Sequence, residues 1–312
     1  MDESSLRIYK KNEKKIFTKV NIMIYLMIVP GLILYYIFRY VTMPGIMIAF
    51  QEFTTGGFKY WCGFENFDKL FGLRAFWQAF RNTWVFIGLQ YLFIKPSPII
   101  LALLLNEVRI MWFKKTVQTV STLPSFLTWV VVSGIFIQLL SPSTGYVNVI
   151  IALLGGERIY FLGKPQLFPW LLTGIRIWKG VGYSSIIYLA SLGGVDPELY
   201  EAAVIDGATR WQQTMYITLP GIKNTVVVLL IFSFSGIMGG LFEPVFTLTD
   251  GNALLDETAM VLDLYIYNTG IRQGKFSMST TTGLFNSIIS TILMLSANWA
   301  SKYLTEDGRT II

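Results

Sequence analysis

The chain has 312 residues, of which 53% are hydrophobic and 14% charged, with a net charge of +6 and a mean hydropathy of +0.54. Soluble domains carry about 25% charged residues, and a soluble core of this size cannot hide so much apolar surface. A disordered chain is excluded, and lipid is the expected solvent. The sequence has no His and one cysteine, Cys62, which excludes Ser-His-Asp and Cys-His catalysis, His-ligated metal sites and internal disulfides.

Spanning a bilayer takes about 20 apolar residues per helix, and six segments qualify: 20–40, 83–105, 117–140, 168–192, 222–242 and 282–301. Ahead of the first lies a basic tail, 1–19, with Arg7, Lys10, Lys11, Lys14, Lys15 and Lys19. Its apolar run is too long for a signal peptide, so it reads as a retained helix. Residues 64–84 place Phe67, Leu70, Phe71, Phe76 and Phe80 at near-helical spacing. They are expected to form an amphipathic helix at the outer interface. Lys95-Pro96-Ser97-Pro98 interrupts the second span and predicts a kink there. Arg109, Lys114 and Lys115 follow it, and Lys302 and Arg309 follow the sixth. The basic bias puts these segments and the tail on the cytoplasmic side. The expected fold is an all-α membrane protein with six transmembrane helices and both termini cytoplasmic. It comprises the cytoplasmic tail, 1–19, and a transmembrane domain, 20–312. Outer loops are expected at 41–82, 141–167 and 243–281. Lys and Arg at helix ends explain the positive charge, so no nucleic-acid partner is expected.

Gly163-Lys164 and Gly274-Lys275 are followed by Pro165 and Phe276, with no Gly at the required upstream position. No phosphate-binding loop is present. The chain is not expected to be an enzyme, to hydrolyse ATP or to hold a metal or cofactor.

Between the fourth and fifth spans, 193–221 forms a cytoplasmic loop. Asp196 is a good N-cap, Pro197 suits the first helical position and Glu198 complements the helix dipole. Gly207 permits a left-handed helix end. Thr209 and Gln212 have capping-box spacing, and Pro220 marks the next break. Two short helices with a sharp, thin turn follow, or an ordinary helical connector. The full string, Glu201-Ala202-Ala203, Asp206-Gly207-Ala208 and Ile217-x-Leu219-Pro220, resembles the EAA motif of bacterial ABC importer permeases. Thr214 stands where that motif often has an aromatic, with Met215 and Tyr216 adjacent. Phe64-Glu65-Asn66-Phe67, Arg81-Asn82-Thr83 and Leu101-Ala102-Leu103-Leu104-Leu105-Asn106 resemble the carbohydrate-uptake branch, specifically LplB-like relatives of the maltose permease. So do Leu123-Pro124-Ser125, Ser141-Pro142-x-x-Gly145-x-x-Asn148 and Gln273-Gly274-Lys275-Phe276.

The resemblance implies the type I importer permease fold in the bacterial cytoplasmic (inner) membrane. It implies a heterodimer with a second permease subunit, two ATP-binding subunits carrying ATP and Mg, and an extracytoplasmic solute-binding protein. Glu201, Ala202, Ala203, Asp206, Gly207 and Ala208 would couple to the ATPases.

Arg176 and Lys179 lie near the middle of the fourth span and share a helical face with Gly180 and Tyr183. A charge at that depth costs about 2.5–3.5 kcal/mol on insertion scales, so it faces a cavity or a partner such as Glu243. The maltose-permease resemblance carries sugar-contacting positions onto Arg176, Lys179, Gly180 and Tyr183. It adds Ser233, Ile237 and Gly240 in the next helix, and Ser121 and Ser125 in the third. Arg176, Ile237 and Gly240 replace the amides of the maltose site, and two cations suit carboxylates. Trp129 and Trp178 could stack on a sugar ring or pack in the core. The leading expectation is a permease importing an acidic, uronate-containing oligosaccharide. The alternatives are a neutral sugar or another small anionic solute, and, in a different class, a stand-alone secondary transporter or membrane scaffold.

Overall fold

The computed structural model describes residues 19–304 except 235, 250 and 251. Most of the basic tail, and Arg309, lie outside the described residues. The chain divides into two compact units, 1–48 and 49–312.

In the first unit, helix α1 (Lys19–Tyr36) runs into a π-helical turn, Ile37–Val41. Its residues are almost uniformly apolar and point outward all round; Met27 is 76% exposed. In water this would be a very large apolar patch, whereas in lipid it is the expected surface.

The second unit opens with a hairpin, β1 (Gln51–Thr54) and β2 (Gly57–Trp61), in a stretch expected to be loop. Helix α2 (Glu65–Phe71) follows, then α3 (Arg74–Leu89). The single amphipathic helix expected over 64–84 is therefore two helices, split at Gly72 and Leu73. Its apolar stripe points inward, with Leu70 and Phe76 fully buried. The kink expected near Pro96 is instead a π-helical turn, Gln90–Ile94, leading into α4 (Pro96–Glu107). Lys95 N–H reaches back to Gln90 O at 2.8 Å, so Arg74–Glu107 forms one continuous 34-residue span.

Two expected spans are broken. Segment 117–140 is α5 (Met111–Thr122), a 3-10 turn (Leu123–Phe126) and α6 (Trp129–Leu139), bent by 103° at the break. Pro124 and the extended Leu127 and Thr128 cannot continue the helix. After α7 (Tyr146–Leu153) comes the unbroken 25-residue α8 (Phe168–Leu192). The short helices α9 (Pro197–Ile205) and α10 (Arg210–Gln213) precede α11 (Lys223–Phe234). Segment 222–242 is not one helix, because α11 ends at Phe234. Ile237 and Gly240 lie in the turns that follow, with Gly240 at φ +80°. Expected loop 243–281 is largely helical, with α12 (Phe242–Thr249), α13 (Asp256–Ala259) and α14 (Leu262–Tyr267) before the final α15 (Phe276–Leu304).

Among the described residues, three helices are long and apolar enough to cross a membrane, or five segments if each bent pair counts as one. Helix α8 is long enough but less apolar, since it carries Arg176 and Lys179.

One core cluster joins Phe86, Val132, Phe168, Leu172, Val245, Leu255 and Val261; a second joins Leu70, Phe76, Ile87, Met238 and Leu262. Polar side chains pin the irregular segments between. Asn66 Nδ2 donates to Ala49 O and Gln51 O at 3.0 and 2.9 Å, holding the hairpin. Asn82 Nδ2 donates to Glu257 O and Met260 O, both at 3.0 Å. Thr83 Oγ1 accepts Leu262 N–H at 2.9 Å. Asn148 takes Ile159 N–H at 2.7 Å and donates to Ile159 O at 2.9 Å. Asp263 accepts Leu241 N–H at 3.1 Å. Burial raises its carboxyl pKa, while backbone N–H donors from Leu241, Phe242 and Gly240 oppose that rise.

Helices α5 and α8 cross where Gly182 meets Ser121. A Cβ on Gly182 would overlap the Ser121 backbone carbonyl, while one on Gly174 in the same helix meets nothing within 4 Å. Gly182→Ala should destabilise the protein by about 1–3 kcal/mol. Gly174→Ala should leave stability unchanged or improved. Thermal unfolding of the purified complex in detergent compares the two.

Candidate functional site

The exposed elbow between α8 and α11 follows the local chemistry of its sequence. Asp196 Oδ1 accepts Glu198 N–H at 2.9 Å and starts α9. The helix closes with Ala208 N–H on Ala203 O at 2.9 Å and Gly207 N–H on Val204 O at 3.1 Å. Gly207 sits at φ +77°, so this is a Schellman C-cap that needs a residue tolerant of left-handed backbone. Thr209 and Gln212 form the reciprocal capping box that starts α10. Behind the turn, the buried Gln213 donates to Ala208 O at 3.0 Å, and Tyr200 Oη lies 3.0 Å from Thr218 Oγ1.

The elbow is thus braced from within and bare outside. Glu201, Ala202, Asp206 and Gly207 are exposed, and Ala203 and Ala208 are half-buried. Sequence reasoning missed that this surface is strongly apolar. Ile205 and Tyr216 are 85% and 80% exposed, and Val204 and Trp211 stand beside them. Apolar residues on a short, capped polar-side helix were the available signal. Thr214 turns back to bond Arg210 O at 3.0 Å, and Tyr216 projects the aromatic bulk instead.

The second candidate site lies against α8. A cavity of about 240 Å³ is lined by Ser125, Trp129, Arg176, Lys179, Gly180 and Tyr183, with Ile94 and Ser184 completing the wall. Helical spacing on α8 brings the four α8 residues together as expected. Arg176 Nη2 donates to Gln90 Oε1 at 2.7 Å, and its buried Nη1 has no partner among the described residues. Lys179 Nζ donates to Ser125 O at 3.1 Å and stands 5.5 Å from the centre of the Trp129 ring.

Among the described residues the one ion pair is Lys69–Glu65 at 2.9 Å. Neither Arg176 nor Lys179 is in an ion pair, and Glu243, the alternative partner, is exposed in the first turn of α12 and pairs with neither. Several other expected residues stand outside the cavity. Ser121 bonds Gln118 O, and Ser233 bonds Leu230 O and Tyr91. Gly240 occupies the turn before α12, where the helix assumed for it has ended. Trp178 packs edge-on against Phe136 at 5.4 Å. Gln90 was missed, because nothing in its apolar surroundings marks a partner 86 residues away.

Residues 96–307 match the family described as "binding-protein-dependent transport system inner membrane component". The chain is 42% identical over 308 residues to YteP of Bacillus subtilis (strain 168), the permease protein of a polygalacturonan/rhamnogalacturonan transport system; the match covers 96% of this chain and 95% of YteP. It is 40% identical to LplB of the same organism over 288 residues, covering 91% and 90% of the two chains. Among solved structures it matches a chain of a bacterial ABC transporter that imports the acidic polysaccharide alginate. That match has a TM-score of 0.86 and 38% identity, covering 96% of this chain and all of the other. With the EAA elbow and the type I importer fold, these matches make the chain a member of the binding-protein-dependent transport system inner membrane component family, and the relatives it resembles are permeases of carbohydrate ABC importers.

Proposed function

We propose that this chain carries an acidic, uronate-containing oligosaccharide across the cytoplasmic membrane. The observation that carries this reading is the Arg176 guanidinium. Among the described residues, one of its nitrogens is buried without a partner, Lys179 lines the same cavity, and no carboxylate pairs with either. A cation unpaired at membrane depth is costly, and a cargo carboxylate in the cavity would balance its charge. Tyr183 and Trp129 offer ring faces at the same cavity. The names of the relatives support this reading: one transports polygalacturonan and rhamnogalacturonan, and another imports acidic alginate. In a reconstituted complex, Arg176→Gln and Lys179→Gln should each lower uptake of a galacturonate trisaccharide about ten- to a hundredfold. Uptake of a neutral trisaccharide should change far less. Equal losses for both cargoes, or unchanged acidic uptake, overturn the assignment.

In this reading the protein has six spans, counting the bent pairs and α8, with both termini cytoplasmic and the chain in the inner membrane. A second, different permease completes the pathway, and two ATP-binding subunits drive it. An extracytoplasmic solute-binding protein delivers cargo; one solved relative is described in complex with such a protein bound to alginate pentasaccharide. Intact-mass measurement of the purified complex should find one copy of this chain beside another permease. Two copies of this chain alone would contradict it.

The elbow has no chemistry of its own. Glu201, Asp206 and the thin Ala202, Ala203, Gly207, Ala208 turn would enter a cleft on an ATPase subunit, with Ile205 and Tyr216 adding apolar contact. Closure of the ATPases would move the elbow and switch the cavity between sides. Gly207→Pro removes the left-handed cap, since proline fixes φ near −65°. Glu201→Lys reverses a charge at the turn. Each should cut uptake by about tenfold or more while the membrane level of the chain stays constant, as measured by transport and immunoblot.

A further inference from the structure

The π-helical turn Gln90–Ile94 meets the cavity directly at one end and through Arg176 at the other. Ile94 forms part of its wall, and Gln90 Oε1 receives Arg176 Nη2 at 2.7 Å. A π-turn adds one residue to the helical register and re-aims the side chains around it, and such turns gather at functional sites. This one is secured on its other flank. Tyr91 stacks on Phe234 at 5.0 Å, and its hydroxyl lies 2.9 Å from Ser233 Oγ. Gln90 is therefore held between α11 and α8, with its amide oxygen presented to the guanidinium. Lys95, half-buried one residue past the turn, adds a third positive charge within electrostatic reach of Arg176.

The identity of this acceptor matters. A glutamine oxygen fixes the guanidinium plane through one nitrogen and leaves its full charge in place. A glutamate of the same length would make the same contact, pair with Arg176 and cancel the charge. Nη1 is buried and has no partner among the described residues, so Arg176 offers the cavity its charge, while Lys179, with one proton on Ser125 O, keeps two donors.

We propose that Gln90 is the residue that sets the charge preference of this cavity, positioning Arg176 through a neutral acceptor so that a cargo carboxylate becomes its counter-ion. This rests on the cavity being the cargo site.

The test is uptake by the reconstituted complex containing Gln90→Glu, Gln90→Met or Arg176→Gln. A galacturonate trisaccharide and a neutral galactose trisaccharide are compared with the same binding protein throughout. Gln90→Glu should lower kcat/KM for the acidic cargo about tenfold or more and leave the neutral cargo within about twofold. Gln90→Met removes the acceptor and keeps the charge, so it should raise KM for the acidic cargo with kcat little changed. If Gln90→Glu fails to assemble with the ATPases, Gln90→Met carries the test through the same cargo-specific rise. Equal effects on both cargoes would mean a purely structural glutamine and overturn the proposal. If Arg176→Gln loses acidic preference while both Gln90 variants keep it, the Gln90 inference alone fails. If Arg176→Gln also keeps it, the cargo-site reading fails as well.

Discussion

A bilayer supplies no water to a broken helix, and that constraint organises this protein. Each freed backbone N–H or C=O at membrane depth must find a partner inside the chain. The second unit contains several irregular segments, and polar side chains hold them. Asn66 holds the hairpin, Asn82 and Thr83 hold the start of α14, Asn148 closes the turn after α6, and Asp263 receives the turn before α12. Leucine and phenylalanine gain nothing by leaving lipid for one another, so packing and these hydrogen bonds carry the specificity. The close crossing at Gly182 belongs to the same logic, since small residues let backbones approach.

The breaks also make the cavity. At the 103° bend between α5 and α6 the 3-10 turn leaves the Ser125 carbonyl without a helical donor. Lys179 supplies that donor from the neighbouring helix. One irregularity thus fixes a cation, and the other, the π-turn, fixes Arg176. The charges sit on the unbroken α8, and their partners come from irregular turns on other segments.

Legibility in the sequence follows the range of the forces involved. The elbow was readable residue by residue, because Asp196, Gly207, Thr209 and Gln212 act on backbone within a few positions of themselves. The shared face of Arg176, Lys179, Gly180 and Tyr183 was readable for the same reason. The bends in 117–140 and 222–242 were not, because hydropathy averaged over a window is blind to direction. Ile237 and Gly240, counted from Leu219-Pro220 as part of one helix, lie in the turns after Phe234. The short motifs around Asn66, Asn82 and Asn148 signalled kinship, but their work as staples depends on carbonyls up to 178 residues away.

Cavity and elbow are joined by a single rigid element. From Arg176 to Leu192, α8 runs without a break, a rise of about 24 Å at 1.5 Å per residue. At its lower end Tyr188 and Leu192 are buried with Ala102 and Ile222, which ties α8 to α4 and to the start of α11, on either side of the elbow. A displacement of α9 and α10 therefore has a stiff path to the residues that face the cavity. Gln90 and Ser125 sit on other segments, so a shift of α8 changes the contacts of Arg176 and Lys179 first. In the proposed cycle, the hydrogen bonds that hold the two cations are the ones whose geometry differs between the cavity's open sides. Neutral acceptors suit that role. A carboxylate in place of the Gln90 amide would pair with Arg176 permanently and compete with the cargo for its charge.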